Sequence, residues 1–203
     1  MDRFVSSNNN IGLYGGTFDP VHNVHIELAY IALKHAKLDR IIFVPAGLPP
    51  HKKGNVYASA DDRYNMLILA TKHEPKFSVS RIEIDRKGPS FTIETVDTLK
   101  KLFNGSKIYL IVGMDTLLDI PNWYKADELI NTVDTFLAAK RPKYENVKII
   151  PKILNKTIWL PFEPKDIASH QIRLYIKQNK DIHDLVPNEV EKYINEHQLY
   201  RDK

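Results

Sequence analysis

Residues 12–25 read GLYGGTFDPVHNVH, and the reading of this stretch decides the fold. Small and apolar residues from Ile11 to Tyr14 predict a buried first strand that breaks at Gly15 and Gly16. Adjacent glycines let a backbone take φ > 0 and come close to a ligand. His22 and His25 follow where a helix should begin, and side chains three apart are neighbours on a helix. The first helical turn carries unsatisfied N–H groups and the positive end of the helix dipole. Strand, glycine turn and histidine-bearing helix start together read as an anion site, with phosphate the obvious anion. The plainer alternative is an ordinary strand–turn–helix with two surface histidines. The double glycine and the buried strand favour phosphate.

Outward from this stretch, strand and helix signals alternate. Ile26, Ala29, Tyr30 and Leu33 mark the expected buried stripe of a first helix, and residues 40–44 (RIIFV) a second strand. Ser59 and Asp62 have capping-box spacing ahead of a helix carrying Met66, Leu67 and Ala70. Residues 77–84 alternate as a strand, 92–103 read as a helix stopped by Asn104-Gly105, and 107–112 (KIYLIV) form the most apolar run, a central strand. Strands are expected at 133–138 and at 157–160 (TIWL), with Trp159 in the core. Two helices close the chain. One spans 169–178 with Ile172, Tyr175 and Ile176 inward; the other carries Pro187 in its first turn and Val190, Tyr193 and Ile194 inward. This alternation predicts a doubly wound, Rossmann-like α/β fold, a parallel sheet with helices on both faces and a C-terminal helical segment. Ligands in such folds bind at the carboxyl ends of strands, where the Gly15-Gly16 turn lies.

The chain has 203 residues, 43% of them hydrophobic, which sets the expectation of a single domain over 11–203 behind a flexible polar segment, 1–10. No apolar run reaches the length of a membrane span and the first ten residues lack a signal-peptide core, so a cytoplasmic protein is expected. Cysteine is absent, which excludes disulfides, thiolate catalysis and thiolate metal sites. The formal net charge of +4 comes from interspersed residues and fits anionic small molecules as well as nucleic acid.

Further segments carry candidate chemistry, each with a plain alternative. Residues 45–52 (PAGLPPHK) follow a strand end; Lys52 is either a surface charge or a point charge for a phosphate. In GPSFT, residues 88–92, Ser90 or Thr92 reads first as a helix cap. Trp123-Tyr124, after Gly113-Met114-Asp115, reads as packing or as a platform for an electron-poor ring. In DIASHQIR, residues 166–173, Ser169 reads as a cap, or Ser169 and Arg173 as phosphate donors at a second helix terminus.

These segments together carry a resemblance. GGTFDPVHNVH resembles the T/H-x-x-H signature of the nucleotidyltransferase superfamily in its adenylyltransferase form, GGTFDPxHxGH, with Val24 where a small residue is frequent. PAGLPPHK, GPSFTIET, the GMD…W segment, RPKY at 141–144, SHQIR and LVPNEVEKYI are similar, in order, to motifs of bacterial nicotinate-nucleotide adenylyltransferases. The chain departs at Lys143 for a glycine, at Ala168 for a serine and at His170 for a threonine. The resemblance covers almost the whole chain from Ile11 onward. It implies catalytic roles for His22, His25 and Arg173. It implies ATP or phosphate contacts for Gly15, Gly16, Thr17, Phe18, Lys52, Gly113, Asp115, Arg141 and Ser169, and mononucleotide contacts for Thr92, Trp123 and Tyr124. No residue is assigned as a metal ligand. Mg²⁺ is expected to arrive with ATP, with Asp19 and Asp115 near its hydration shell.

The implied partners are ATP and nicotinate mononucleotide, without nucleic acid or membrane, and with a homo-oligomer left open. Two alternatives stand beside this reading. A pantetheine-phosphate adenylyltransferase shares the first motif but not GPSFT or GMD…W. A basic nucleic-acid-binding module fits the charge but calls for aromatics interleaved with Lys and Arg, which this chain lacks.

Overall fold

A computed structural model describes residues 9–49, 56–139, 148–163, 165 and 167–201. Six strands, β1 (Asn10–Gly16), β2 (Arg40–Pro45), β3 (Phe77–Val79), β4 (Lys107–Gly113), β5 (Thr135–Ala139) and β6 (Thr157–Leu160), form one sheet in the order β3-β2-β1-β4-β5-β6. The pairings β1/β4, β4/β5 and β5/β6 are parallel, with Ile11 opposite Ile108, Ile111 opposite Leu137 and Leu137 opposite Ile158. Between the strands run α1 (Asn23–His35), α2 (Ala60–Thr71), α3 (Thr92–Leu102), α4 (Met114–Asp119), α5 (Ala126–Thr132) and α6 (Pro151–Leu154). Two helices, α7 (Ser169–Lys177) and α8 (Asn188–Glu196), follow the last strand. The strand order runs outward in both directions from β1 and β4, which makes this the doubly wound α/β fold that the alternation predicts.

The described residues divide into two compact units: those within 1–15, 29–42 and 91–164, and those within 16–28, 43–90 and 165–203. In the first, Ile11, Leu13, Ile108, Leu110, Phe136 and Leu137 are buried along neighbouring strands. Such continuous apolar runs belong to strands covered on both faces. In the second, Phe43, Met66, Leu67, Ile172, Val190 and Ile194 form the core, and Arg63 is buried among them.

Several expectations are corrected. β1 runs through both glycines, and neither takes positive φ; the left-handed residue is Phe18, φ 51. Gly16 serves by lacking a side chain, because a Cβ there would lie 3.0 Å from the Phe18 ring. The buried stripe of α1 is Leu28, Ala29, Ala32 and Leu33, with Ile26 and Tyr30 only half covered. β3 stops at Val79, because the Ser80 hydroxyl accepts the Ile82 N–H and Asp85 N–H closes a turn onto Arg81. β5 starts at Thr135, because the Val133 N–H still belongs to α5, donating to Leu129 O. Trp159 is half-buried rather than core, since β6 is an edge strand.

Candidate active site

The loop from Thr17 to His22 joins β1 to α1. Its carbonyls are held by side chains from distant segments. Arg63 Nη1 donates to Thr17 O at 2.9 Å, Arg173 Nη1 to Asp19 O at 2.6 Å, and Ser169 Oγ to Pro20 O at 3.0 Å. Ser169 is therefore not the helix cap. That position is Ala168, whose N–H donates to Gln171 Oε1 at 3.0 Å. His170 is exposed at the start of α7.

The Asp19 carboxylate, 3% exposed, anchors the loop from inside. It accepts from Tyr57 N–H (2.7 Å), Ala58 N–H (3.1 Å) and Tyr200 OH (2.8 Å). With both oxygens engaged in a buried place, Asp19 is not turned toward the hydration shell of a metal, contrary to expectation. Burial pushes the Tyr200 phenol well up, and the Asp19 carboxylate adds to this, so the hydroxyl keeps its proton and remains a donor. Burial also lowers the Arg63 guanidinium, with Asp19 opposing.

His22 and His25 come together as the spacing predicts. Their rings stack with centroids 3.6 Å apart and 28° between planes, and the Phe18 ring meets His25 edge-on at 5.1 Å. His22, 4% exposed, directly precedes α1. The helix start differs from the expected row of open donors: His22 N–H donates to His25 Nδ1 (3.2 Å), Asn23 N–H to Leu185 O (2.9 Å) and His25 N–H to His22 O (2.9 Å). Accepting at Nδ1 assigns the proton of a neutral His25 to Nε2, which makes that nitrogen a donor. Arg173 is further fixed by the Tyr57 ring, 4.2 Å from the guanidinium carbon. The guanidinium has five N–H donors, and one is committed to Asp19 O. Thr17 and Gly16 are half-buried. Lys52 and Arg141 lie outside the described residues.

Ser90 does not cap α3 either. Its hydroxyl accepts from Gly47 N–H (3.0 Å) and Leu48 N–H (3.1 Å), tying down the loop after β2. Thr92 is the first residue of α3, and its predecessor Phe91 holds the cap position without a side-chain bond.

In the other unit, Gly113 ends β4 and precedes α4, with Asp115 exposed in the first turn. The Trp123 indole N–H donates to Asp119 Oδ2 at 2.9 Å, while Asn122 Nδ2 donates to Oδ1 at 3.0 Å. Asp119 thereby fixes the plane of a half-buried indole. Tyr124, 50% exposed, packs on Phe91 with centroids 4.3 Å apart. Gly15 is exposed at the end of β1.

Sequence reasoning missed Phe91, Asp19 as an anchor, Tyr57 and Tyr200; Asp62-Arg63 in the ADDR stretch reads equally as a family match or an exposed helical ion pair, and Arg63 is buried on Thr17 O instead. A buried arginine and a buried aspartate leave no local pattern. Phe91 sits in the GPSFT motif beside Thr92, and its signal there is an aromatic ring at the start of α3.

A loop that leads from a central parallel strand into a helix opening on paired histidines is the arrangement that the resemblance to nucleotidyltransferases implies. The chain matches the family described as Cytidylyltransferase-like over residues 13–175 and belongs to it. It is 37% identical to "Nicotinate-nucleotide adenylyltransferase" of Bacillus subtilis (strain 168), over 94% of this chain and 97% of that one. It is 40% identical to "Probable nicotinate-nucleotide adenylyltransferase" of Thermoanaerobacter sp. (strain X514), over 94% of each. Within the wider family the chain therefore belongs with the nicotinate-nucleotide adenylyltransferases. Its fold is also that of Plasmodium falciparum nicotinic acid mononucleotide adenylyltransferase complexed with NaAD, with TM-score 0.76 and 24% identity over 95% of this chain and 97% of that one.

Proposed function

We propose that this chain is an adenylyltransferase of NAD biosynthesis that joins ATP and nicotinate mononucleotide to give deamido-NAD and pyrophosphate. The stacked His22–His25 pair at the start of α1 carries the reading. The 5′-phosphate of the mononucleotide attacks the α-phosphorus of ATP, and pyrophosphate leaves. That nucleophile has a second pKa of about 6 and is already ionised at neutral pH, so no general base is assigned. What remains is positioning and stabilisation of charge on the phosphoryl oxygens.

His25 donates from Nε2, and His22 supplies the second imidazole. Arg173, held by Asp19 O and Tyr57, adds fixed charge through its remaining N–H groups. Gly15, Gly16, Thr17 and Phe18 line the phosphate approach, with Ser169, Lys52 and Arg141 as further ATP contacts. Gly113 and Asp115 take part on the nucleotide side. Trp123, its ring fixed by Asp119, stacks on the pyridine ring, with Tyr124 and Thr92 as neighbouring contacts.

Among the described residues no three His, Asp or Glu side chains converge as a metal site. Mg²⁺ would come with ATP as the Mg·ATP substrate, neutralising triphosphate charge and keeping most of its waters. No described helix is long and apolar enough to cross a membrane. We place the reaction in the cytoplasm.

The test is pyrophosphate release by His22→Ala. Loss of one preorganised donor to a transition state costs about 10²-fold in kcat, with an unchanged circular-dichroism spectrum. Wild-type turnover in this variant would remove the histidine pair from the mechanism.

A further inference from the structure

Of the groups that hold the Thr17–His22 loop, Tyr200 stands furthest away in sequence, beyond α8. After that helix the chain folds back through Leu199 N–H to Ile194 O (3.0 Å), and Tyr200 takes φ 64. A tyrosine enters the left-handed region only where its surroundings hold it there. Its side chain is 8% exposed, and its hydroxyl donates to Asp19 Oδ1 at 2.8 Å. Among the described residues Asp19 Oδ1 has one other donor, the Ala58 N–H at 3.1 Å, and Oδ2 has the Tyr57 N–H. The carbonyl of the same aspartate holds Arg173, and His22 lies three residues on.

We propose that Tyr200 is a positioning residue for adenylyl transfer: through Asp19 it sets the peptide run that places Arg173 and His22. The inference rests on the reaction proposed above. Without the Tyr200 hydroxyl the buried carboxylate keeps, among the described residues, only the Tyr57 and Ala58 N–H groups, and poorer satisfaction of a buried charge favours a changed arrangement of the loop that carries it. The carbonyl that Arg173 grips belongs to the same residue, so a shift of the Asp19 backbone is passed directly to Arg173. Tyr200 touches no reacting atom in this account, so its removal changes rate through geometry rather than through binding of either substrate.

Tyr200→Phe keeps the ring and removes the hydroxyl. Two quantities are read: steady-state kinetics of pyrophosphate release, and the ring Cε1–H resonances of His22 and His25, assigned through the single alanine variants. The expected result is a fall in kcat of about tenfold, with KM for ATP and for the mononucleotide within about twofold, and displaced resonances of both histidines. Tyr193→Phe is the control; Tyr193 donates from α8 to Asp62 at 2.9 Å rather than to a residue of the loop, and its variant should leave both quantities unchanged.

Unmoved histidine resonances in Tyr200→Phe overturn the proposal, whatever the kinetics. Displaced resonances with unchanged kcat overturn the catalytic consequence. If the wild-type protein released no pyrophosphate, the adenylyl-transfer reading would fail, and the resonances alone would decide whether Tyr200 sets the loop. Should Tyr200→Phe not fold, Asp19→Asn alters the same bond from the acceptor side and takes the same two readings.

Discussion

Phe18, Asp19, His22 and His25 show how one loop divides its labour. The Phe18 ring fills the space that Gly16 leaves and braces His25, while Asp19 turns inward to the Tyr57 and Ala58 N–H groups. The histidines were legible in the sequence because their partnership is local, three residues apart on a helix start. Asp19 was not, because its donors come from positions 57, 58 and 200, and no spacing rule links those numbers. The left-handed turn was assigned to glycines on steric grounds, yet it falls on Phe18, whose buried ring offsets the backbone cost. Gly47 makes a second residue-scale point: a Cβ there would stand 2.2 Å from Glu83 O, a backbone atom. Gly47→Ala should cost about 2 kcal/mol through forced backbone movement and lower Tm by about 4–8 °C for a chain of this size, measured by thermal melting. Trp123→Ala should raise KM for the mononucleotide by about 5- to 150-fold, the loss expected when an aromatic stack worth about 1–3 kcal/mol is removed, with the ATP KM little changed; steady-state kinetics with each substrate varied in turn checks this. A change confined to the ATP KM would reassign the indole.

At the scale of elements, α2 and α8 meet through charge as well as apolar packing. Glu189 in the first turn of α8 pairs with His73 (3.0 Å) and Lys72 (3.1 Å), just past the end of α2. The His73 hydrogen bond above all, then backbone donation and Lys72, hold the Glu189 carboxyl at about 2. Its folded value lies below the ordinary carboxylate range of about 4.3. The pair's contribution is thus present above that range and disappears as pH falls toward 2. The groups are partly exposed, so solvent screening keeps the effect small. Glu189→Gln should flatten the loss of stability between about pH 4.5 and 2, as read by urea unfolding at a series of pH values; an unchanged slope would show that the pair contributes nothing. The element boundaries that the sequence missed share one cause. Ser80 ended β3 early through a side-chain bond to the backbone, and α5 kept the Val133 N–H from β5. Periodicity records which face is apolar, not which backbone donor a neighbouring hydroxyl or carbonyl takes first.

At the scale of the whole molecule, the alternation of strands and helices was enough to predict a parallel, doubly wound sheet, and the order β3-β2-β1-β4-β5-β6 is that topology. The apolar β4 run was readable as central because strands covered on both faces leave no polar alternation. Helices α4, α5 and α6 were not foreseen: they have 6, 7 and 4 residues, too short for a helical period to emerge. The Gly15-Gly16 and Gly113-Met114-Asp115 segments lie at the carboxyl ends of β1 and β4, which is why they could be read in order without any knowledge of packing. The geometry after the first could not be read, because it depends on Arg63, Arg173 and Tyr200 reaching back to one loop.

The central claim is the adenylylation of nicotinate mononucleotide. Its most direct test is pyrophosphate release from Mg·ATP with either nicotinate or nicotinamide mononucleotide, compared as kcat/KM. The account predicts strong preference for the acid, by about tenfold or more, the ratio that a difference of 1.4 kcal/mol in transition-state binding produces. Equal use of the two, preference for the amide, or no release with either would contradict it.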